Sequence, residues 1–329
     1  MSLCKLTPAS WQPTASIENL RRRGAILAQI RQFFALRDVL EVEMPLMSHC
    51  AVSDPFIDSI EVAYRPFPES PAQPLYLQTS PEYAMKRLLC AGSGAIYQLG
   101  KAFRNGESGR RHNPEFTMLE WYRPGFDEQQ LMDEVAELVM PILAVDKVER
   151  LSYQQVFERY LGLNPHTASL DELKVETRRH VDLAMDDDDR DSWLNLLMSH
   201  VIEPQLAELG AVFVCDYPAS QAALAQVRED ASGRPVATRF ELFVNGIELA
   251  NGYHELTDAA EQARRLEADQ QQRAELGLPQ RPLETRLVSA LESGMPQCAG
   301  VALGVDRLVM LALGAEHIDQ VIALPFERA

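Results

Sequence analysis

The dipeptide Asn245-Gly246 separates two strand-like segments, residues 239–244 and residues 247–250. Asn-Gly is the strongest short-range signal for a two-residue β-hairpin, because both positions of the favoured turn need a positive φ angle. Residues 95–122 predict a second hairpin, which has a long polar tip between its two strands. Hairpins join antiparallel strands, so we expect the chain to build a mostly antiparallel β-sheet.

Helical periodicity surrounds these hairpins. Residues 16–40 place apolar side chains at helical spacing, with Arg21, Arg22 and Arg23 among the polar positions. We expect these arginines on a solvated helix face; a nucleic-acid contact is the alternative. Antiparallel strands mixed with helices predict an α+β fold. The other predicted elements are strands at residues 39–45 and 75–79, a helix that starts at Ser80-Pro81-Glu82, helices at residues 127–143, 257–276 and 283–291, and helical patches within residues 161–210.

Composition excludes several classes of protein. The 329 residues carry a net charge of −17 and include 31 Lys and Arg, which disfavours non-specific binding of nucleic acid over a broad surface. Neither a signal peptide nor an apolar stretch of membrane-spanning length is evident, so a cytoplasmic protein without a membrane partner is expected. The five cysteines are scattered singly, as reduced thiols would be. The acidic run at residues 186–189 indicates a solvated surface, with a metal site as the weaker alternative.

The tip of the longer hairpin, residues 104–115, concentrates cationic side chains. Arg104, Arg110, Arg111 and His112 fall within nine residues. Guanidinium groups make bidentate, charge-assisted hydrogen bonds to phosphate oxygens, so this cluster can surround a polyphosphate. An exposed loop with internal salt bridges is an equally good interpretation of the composition.

A second candidate segment lies near the end of the chain. Residues 300–308 combine a strand of small residues with the start of an apolar helix that carries Arg307 in its first turn. Small residues let a flat ligand approach the backbone, and Arg307 can reach its phosphates. Ordinary packing of a helix on a strand would also favour glycine here.

Three segments resemble, in order, motifs 1, 2 and 3 of class II aminoacyl-tRNA synthetases. They are residues 40–45, residues 103–122 and residues 300–308. Residues 111–118 and residues 248–256 are similar to the corresponding segments of lysyl-tRNA synthetases. The resemblance extends from about Ser16 to the end of the chain and implies the class II catalytic fold, a mostly antiparallel sheet flanked by helices.

The domain organisation differs from that of a lysyl-tRNA synthetase. In those enzymes an anticodon-binding barrel precedes the catalytic domain, whereas here the motif 1 helix begins near residue 16, so no anticodon binding is expected. This organisation resembles the truncated, synthetase-like ligases that attach (R)-β-lysine to a lysine of elongation factor P. We expect an N-terminal extension at residues 1–15 and a catalytic domain at residues 16–329, with a helical insertion near residues 161–210.

The resemblance implies binding of ATP and Mg²⁺. Arg104 and Arg307 would hold the phosphates and act in catalysis by neutralising charge as pyrophosphate leaves. Glu241 and Glu248, on neighbouring hairpin strands, would bind magnesium, which prefers hard oxygen ligands. The alternative is that both glutamates belong to an ordinary row of solvent-facing residues. In one continuous strand, however, positions seven apart point to opposite faces, so only the Asn245-Gly246 turn can bring these two side chains to the same face. The other implied nucleotide contacts are Asn105, Gly106, His112, Asn113, Phe116, Leu249 and Gly304.

The same resemblance implies a pocket for lysine or (R)-β-lysine. Glu255 would pair with the distal ammonium, Tyr122 and Asn251 would add hydrogen bonds, and Glu82 with Glu120 would receive the other amino group. Buried carboxylates are costly without a cation, so acids in one pocket predict a cationic ligand. Exposed glutamates, or glutamates paired with arginines, are the alternative. The remaining substrate-binding candidates are Ser80, Pro81, Tyr253 and Ala302.

Two positions depart from the lysyl-tRNA synthetase pattern. Gly106 stands where that family usually has glutamate, with Glu107 one residue later, which puts the adenine contact from this loop in question. Ala302 stands where the synthetases have glycine and adds a methyl group near the amino-acid pocket. One such group shifts selectivity by about 1–3 kcal/mol, enough to favour an amino group on the β carbon.

The resemblance implies an ATP-dependent ligase that forms an acyl adenylate of (R)-β-lysine and transfers it to a lysine side chain of elongation factor P. A minimal lysyl-tRNA synthetase acting on tRNA is one alternative. A non-catalytic lysine sensor descended from a synthetase is another. The motif 1 helix and its strand imply, by resemblance, a homodimer.

Overall fold

The protein is described from a computed structural model, which covers residues 11–182 and 187–329. It divides into two compact units. Unit 1 comprises the described residues up to Trp121, together with Asp258–Met295 and Gly304–Ala329. Unit 2 comprises Tyr122–Thr257 and Pro296–Leu303.

Helices and strands both occur throughout the described chain. The α-helices are α1 (Ile17–Ala35), α2 (Glu82–Cys90), α3 (Glu128–Leu143), α4 (Tyr153–Leu161), α5 (Leu170–His180), α6 (Arg190–Leu197), α7 (Glu203–Leu206), α8 (Ala259–Glu275), α9 (Thr285–Glu292) and α10 (Val305–Leu313). The strands are β1 (Leu40–Glu41), β2 (Met47–Ser48), β3 (Glu61–Tyr64), β4 (Gln73–Leu77), β5 (Ile96–Phe103), β6 (Glu115–Pro124), β7 (Glu149–Ser152), β8 (Ala211–Pro218), β9 (Val227–Glu229), β10 (Pro235–Val244), β11 (Ile247–His254) and β12 (Cys298–Gly304). A π-helical turn, Met198–Ile202, joins α6 to α7.

The strands of unit 1 belong to two sheets. β1 runs parallel to β5, with Leu40 opposite Ile96, and β6 follows β5 in the strand order. β4 lies between β2 and β3 in a separate antiparallel sheet. The strand predicted for residues 39–45 is wrong in extent, because only Leu40–Glu41 forms a ladder before the chain approaches Pro45, which has no N–H to donate.

Helix α1 packs its buried face on β5 and β6 within unit 1. Phe34 stacks on Tyr97, with ring centroids 4.3 Å apart, and meets the edge of Trp121 at 5.4 Å. Ser16 caps the helix by accepting a hydrogen bond from the Asn19 N–H. The helix ends at Ala35 rather than near residue 40, because the chain turns through Asp38, whose φ of 54° is left-handed.

The sheet of unit 2 follows the predicted hairpin. Its strand order is β12-β11-β10-β8-β7, with β9 also pairing with β10, and only the β7–β8 pair is parallel among these described strands. Asn245 and Gly246 adopt φ angles of 51° and 69°, as a two-residue hairpin turn requires. The prediction of this hairpin is confirmed, and both strands extend beyond the predicted ends.

The helical segment between β7 and β8 packs on one face of the unit 2 sheet. Trp193 and Phe157 are fully buried in a cluster that also contains Val212 and Val214 of β8. Asp189 caps α6, and Asp188 is almost fully exposed beside Lys174. Asp188 and Asp189 are exposed, as predicted for a solvated surface, whereas Asp187 is half-buried and Asp186 lies outside the described residues.

The predictions about cysteines and membrane spans are compared here with the described residues only. Cys50, Cys90, Cys215 and Cys298 are free thiols, whereas Cys4 lies outside the part of the chain that the structure describes. Within residues 11–182 and 187–329, no helix is both long enough and apolar enough to cross a membrane.

Candidate active site

Arg104 lies immediately after β5, at the base of the long hairpin tip in unit 1. Its backbone N–H donates to the Pro114 carbonyl at 3.0 Å, which closes the hairpin. Its guanidinium lies 5.2 Å from the centroid of the Phe116 ring and forms an ion pair with Glu107 at 3.6 Å. The Arg104 Nε atom is buried and has no hydrogen-bond partner among the described residues. A buried donor of this kind suits a site that receives an anion.

The turn after Arg104 is held by a residue that sequence analysis missed. The Asn105 backbone N–H donates to the Asp58 carbonyl at 2.9 Å, and its amide donates to the Asp58 carboxylate at 2.8 Å. Burial opposes ionisation of Asp58, but Asn105 and Arg281 donate hydrogen bonds to it and lower its pKa below the ordinary value. Gly106 follows with a φ of 77°, a conformation that favours glycine.

The two candidate cationic segments of unit 1 meet at His112 and Arg307. The Arg307 Nη2 atom lies 2.6 Å from His112 Nε2. Gly304 precedes α10 at its N-cap, so Arg307 leaves the first turn of the helix, as predicted. The structure thus brings the hairpin tip and the start of α10 together, which their separation in sequence could not establish.

The Asn113 side chain makes hydrogen bonds to other parts of the protein. Its amide donates to the Glu115 carbonyl at 2.6 Å, and its Oδ1 accepts a hydrogen bond from the Phe326 N–H at 3.0 Å. Both ends of the amide therefore stabilise the hairpin tip. The nucleotide contact expected of Asn113 stays a prediction.

Glu82 has a partner that sequence analysis did not assign. Its carboxylate forms an ion pair with Lys86 at 2.6 Å, and Lys86 is fully buried. The i,i+4 spacing on α2 was the available signal. Ser80 accepts a hydrogen bond from the Glu82 N–H at 3.3 Å, and Pro81 precedes the helix, so the predicted helix start is confirmed. Glu120, also in unit 1, is buried.

Glu255 is the most deeply buried of the candidate acids of unit 2, with 1% of its surface exposed. Its N–H donates to the Cys298 carbonyl at 3.0 Å, which ties the end of β11 to the start of β12. A Cβ atom at Gly300 would collide with the Tyr122 ring and the Glu255 carboxylate. Both side chains therefore lie against the bare backbone of β12, where only glycine leaves them room.

The other amino-acid candidates of unit 2 share one face of its sheet. Asn251 pairs with Ala302, and Tyr253 pairs with Gly300, across β11 and β12. Directly opposed residues of antiparallel strands point to the same side. The Asn251 Oδ1 atom is buried and has no hydrogen-bond partner within the described residues. Leu249 is buried beside a register shift of the β10–β11 ladder.

Glu241 lies on that face, opposite Asn251. Arg239 donates to one of its carboxylate oxygens at 2.5 Å, and the Tyr217 hydroxyl donates to the other at 2.6 Å. Burial raises the pKa of Glu241, and the Glu248 charge raises it further, although Arg239 acts in the opposite direction. Sequence analysis missed Arg239 and Tyr217, because neither belongs to a recognisable motif.

The Asn245-Gly246 turn aligns the two magnesium candidates. Phe243 stands opposite Glu248, and Phe243 is two residues from Glu241 on the same strand. The Glu248 charge opposes ionisation of Glu241, and a hard divalent cation bound between them would relieve this repulsion. No group of three or more His, Cys, Asp or Glu side chains suited to a metal is found in the described parts of the chain. Magnesium often binds to one or two carboxylates together with substrate phosphates, so this pair fits that ion.

Comparison with known proteins assigns the chain to a family. The family described as "tRNA synthetases class II (D, K and N)" matches residues 10–328. A protein of Vibrio cholerae is 52% identical over 326 residues, covering 98% of this chain and all of its own length. Proteins of Haemophilus ducreyi and Yersinia enterocolitica are 50% and 52% identical, and each alignment covers at least 98% of both chains. All three are named elongation factor P–(R)-β-lysine ligase. The chain therefore belongs to the class II tRNA synthetase family (D, K and N) and, within it, to the ligases of this name.

Proposed function

We propose that the chain activates (R)-β-lysine with ATP and transfers it to a lysine side chain of elongation factor P in the cytoplasm. The observation that carries this proposal is the identity of about half of all positions, over nearly the whole length, with ligases named for that reaction. Two features of the chain support it. Arg307 and His112 meet in unit 1, and a buried carboxylate, Glu255, lies on the β12 backbone in unit 2.

The first step would form an acyl adenylate. A carboxylate oxygen of β-lysine attacks the α-phosphorus of ATP, and the bond to the bridging oxygen breaks, so pyrophosphate leaves. Arg104 and Arg307 stabilise the negative charge that develops on the phosphates. Mg²⁺ bound by Glu241 and Glu248 would supply further charge compensation. Glu255 pairs with the distal ammonium of the amino acid, and Tyr122 and Asn251 add hydrogen bonds through the hydroxyl and the amide.

The second step would transfer the acyl group to protein. The neutral amine of the acceptor lysine attacks the acyl carbon, AMP leaves, and the amine loses a proton. No covalent intermediate on the enzyme is needed, because the adenylate is already an activated acyl donor. The contribution of the enzyme is to orient the reactants and to exclude water.

Pyrophosphate exchange tests this function directly. Purified protein with ATP and Mg²⁺ should exchange labelled pyrophosphate into ATP faster with (R)-β-lysine than with α-lysine. Addition of elongation factor P should then give a protein heavier by one β-lysyl group in a mass spectrum. An unchanged mass, together with charging of total tRNA, would instead support the minimal synthetase. No exchange with either amino acid would favour the sensor.

Ala302 provides a test of substrate selectivity. Ala302→Gly removes the methyl group on the sheet face shared with Asn251, so the ratio of kcat/KM for α-lysine to that for β-lysine should rise roughly 10–200-fold. Ala299→Gly is the matched control, because it removes a buried methyl group from the same strand on the opposite face. An unchanged ratio in Ala302→Gly would show that this methyl group does not set selectivity.

We also propose a homodimer that forms through α1 and the short strands after it. Large apolar side chains in this region are exposed, among them Leu36 (76%), Leu40 and Met47. Light scattering during size-exclusion chromatography should give twice the mass of the chain, and Leu40→Asp should shift the protein towards monomer. A monomeric wild-type protein at micromolar concentration would contradict the proposal.

A further inference from the structure

Asp306, the residue before Arg307, is buried at the start of α10, with 3% of its surface exposed. Its Oδ2 atom accepts a hydrogen bond from the Thr117 N–H of β6 at 2.7 Å. Its Oδ1 atom forms an ion pair with Arg23 at 2.6 Å. Asp306 therefore joins three elements of unit 1 that lie far apart in the sequence.

Arg23 reaches this site from α1. Its guanidinium also donates to the Thr117 hydroxyl at 2.9 Å and to the Val321 carbonyl at 3.3 Å. The expectation of a solvated face for Arg21, Arg22 and Arg23 is therefore wrong for Arg23, whose side chain is largely buried. Because Arg23 binds three separate acceptors, lysine could not replace it contact for contact.

We propose that Arg23 and Asp306 are positioning residues for Arg307. Successive residues of a helix project about 100° apart, so fixing Asp306 against β6 and α1 sets the direction in which Arg307 leaves α10. In the structure that direction brings Arg307 within 2.6 Å of His112. The inference rests on the proposed function, since it assumes that Arg307 binds the phosphates of ATP.

The orientation of the first turn of α10 should affect how well Arg307 contacts the phosphates of ATP. A charge-assisted contact weakens steeply with misorientation, and a shift of about 1 Å at a guanidinium can cost a large share of its benefit. Loss of the Arg23 ion pair should therefore weaken ATP binding and adenylation, while the amino-acid contacts assigned to unit 2 should keep their affinity.

Asp306→Asn is the most informative variant, because asparagine can still accept the Thr117 hydrogen bond but cannot pair with Arg23. We expect the Kd of a non-hydrolysable ATP analogue, measured by calorimetry, to rise about tenfold. In pyrophosphate exchange, the KM for ATP should rise similarly, while the KM for β-lysine should change less than twofold. Adding Arg23→Gln to Asp306→Asn should cause little further change, as expected for residues that act as a pair.

Glu134→Gln is the matched control. It breaks an ion pair of similar burial with Arg123, at 3.4 Å in unit 2, so it should lower the melting temperature without altering the Kd of the analogue. If Asp306→Asn lowers the melting temperature by a similar amount and leaves that Kd within twofold of wild type, the pair has a structural role only and the proposal is overturned. Should Asp306→Asn not fold, Arg23→Lys gives the same comparison.

The positioning role of Arg23 and Asp306 can be tested separately from the ligase activity. Wild-type protein that binds the ATP analogue but catalyses no pyrophosphate exchange contradicts the function, and the Kd values of the variants still decide the role of Arg23 and Asp306. Wild-type protein that binds no ATP analogue contradicts both.

Discussion

Replacing Arg307 with methionine is expected to lower the rate constant of pyrophosphate exchange on the order of 10²–10³-fold at saturating ATP and β-lysine. Methionine keeps the unbranched apolar part of the side chain but removes every donor. Arg307 leaves the first turn of α10 beside His112, where a guanidinium can stabilise the charge that develops as pyrophosphate departs. Steady-state exchange with wild-type and variant protein at matched concentrations measures the effect.

The comparison needs a control for the loss of an arginine. Arg150→Met removes an arginine that pairs with Asp133 in unit 2 and should leave the exchange rate within about twofold of wild type, because surface ion pairs contribute little. Arg307→Lys should fall between wild type and Arg307→Met, since lysine keeps the charge but not the fork of donors. An exchange rate for Arg307→Met within threefold of wild type would remove Arg307 from the mechanism.

Local signals in the sequence predicted most elements of the fold. The Asn245-Gly246 turn and the start of α3 both follow from short-range chemistry. At α3, Asp127 and Gln130 form the reciprocal capping pair. Where prediction failed, tertiary pairing decided the outcome. Residues 39–45 alternate as a strand would, but only Leu40–Glu41 pairs with a neighbouring strand.

The candidate site was predictable in its motifs but not in its supporting contacts. Arg104, His112 and Arg307 were identified from residue type and resemblance. The long-range contacts nearby, those of Asp58 with Asn105 and of Asp306 with Arg23, were not, because long-range pairing depends on topology rather than on periodicity. Short motifs therefore indicated the candidate residues, whereas the contacts around them became known only from the structure.

Glu255→Gln is expected to lower kcat/KM for β-lysine on the order of 10²–10³-fold, while the KM for ATP should change less than twofold. The physical reason is burial, because a carboxylate shielded from water attracts a ligand ammonium far more strongly than an exposed one does. Glutamine has nearly the same shape, so the Tyr122 ring and the Gly300 backbone that pack against this side chain should stay in place. Pyrophosphate exchange at varied β-lysine concentration measures the loss.

A second substrate separates charge recognition from a general defect. 3-Aminohexanoate is β-lysine without its distal amine, so wild-type protein should discriminate strongly against it, and Glu255→Gln should lose most of that discrimination. Glu134→Gln, which removes another buried carboxylate of unit 2, should discriminate as wild type does. Discrimination that survives in Glu255→Gln would mean that the distal ammonium pairs with a different acid.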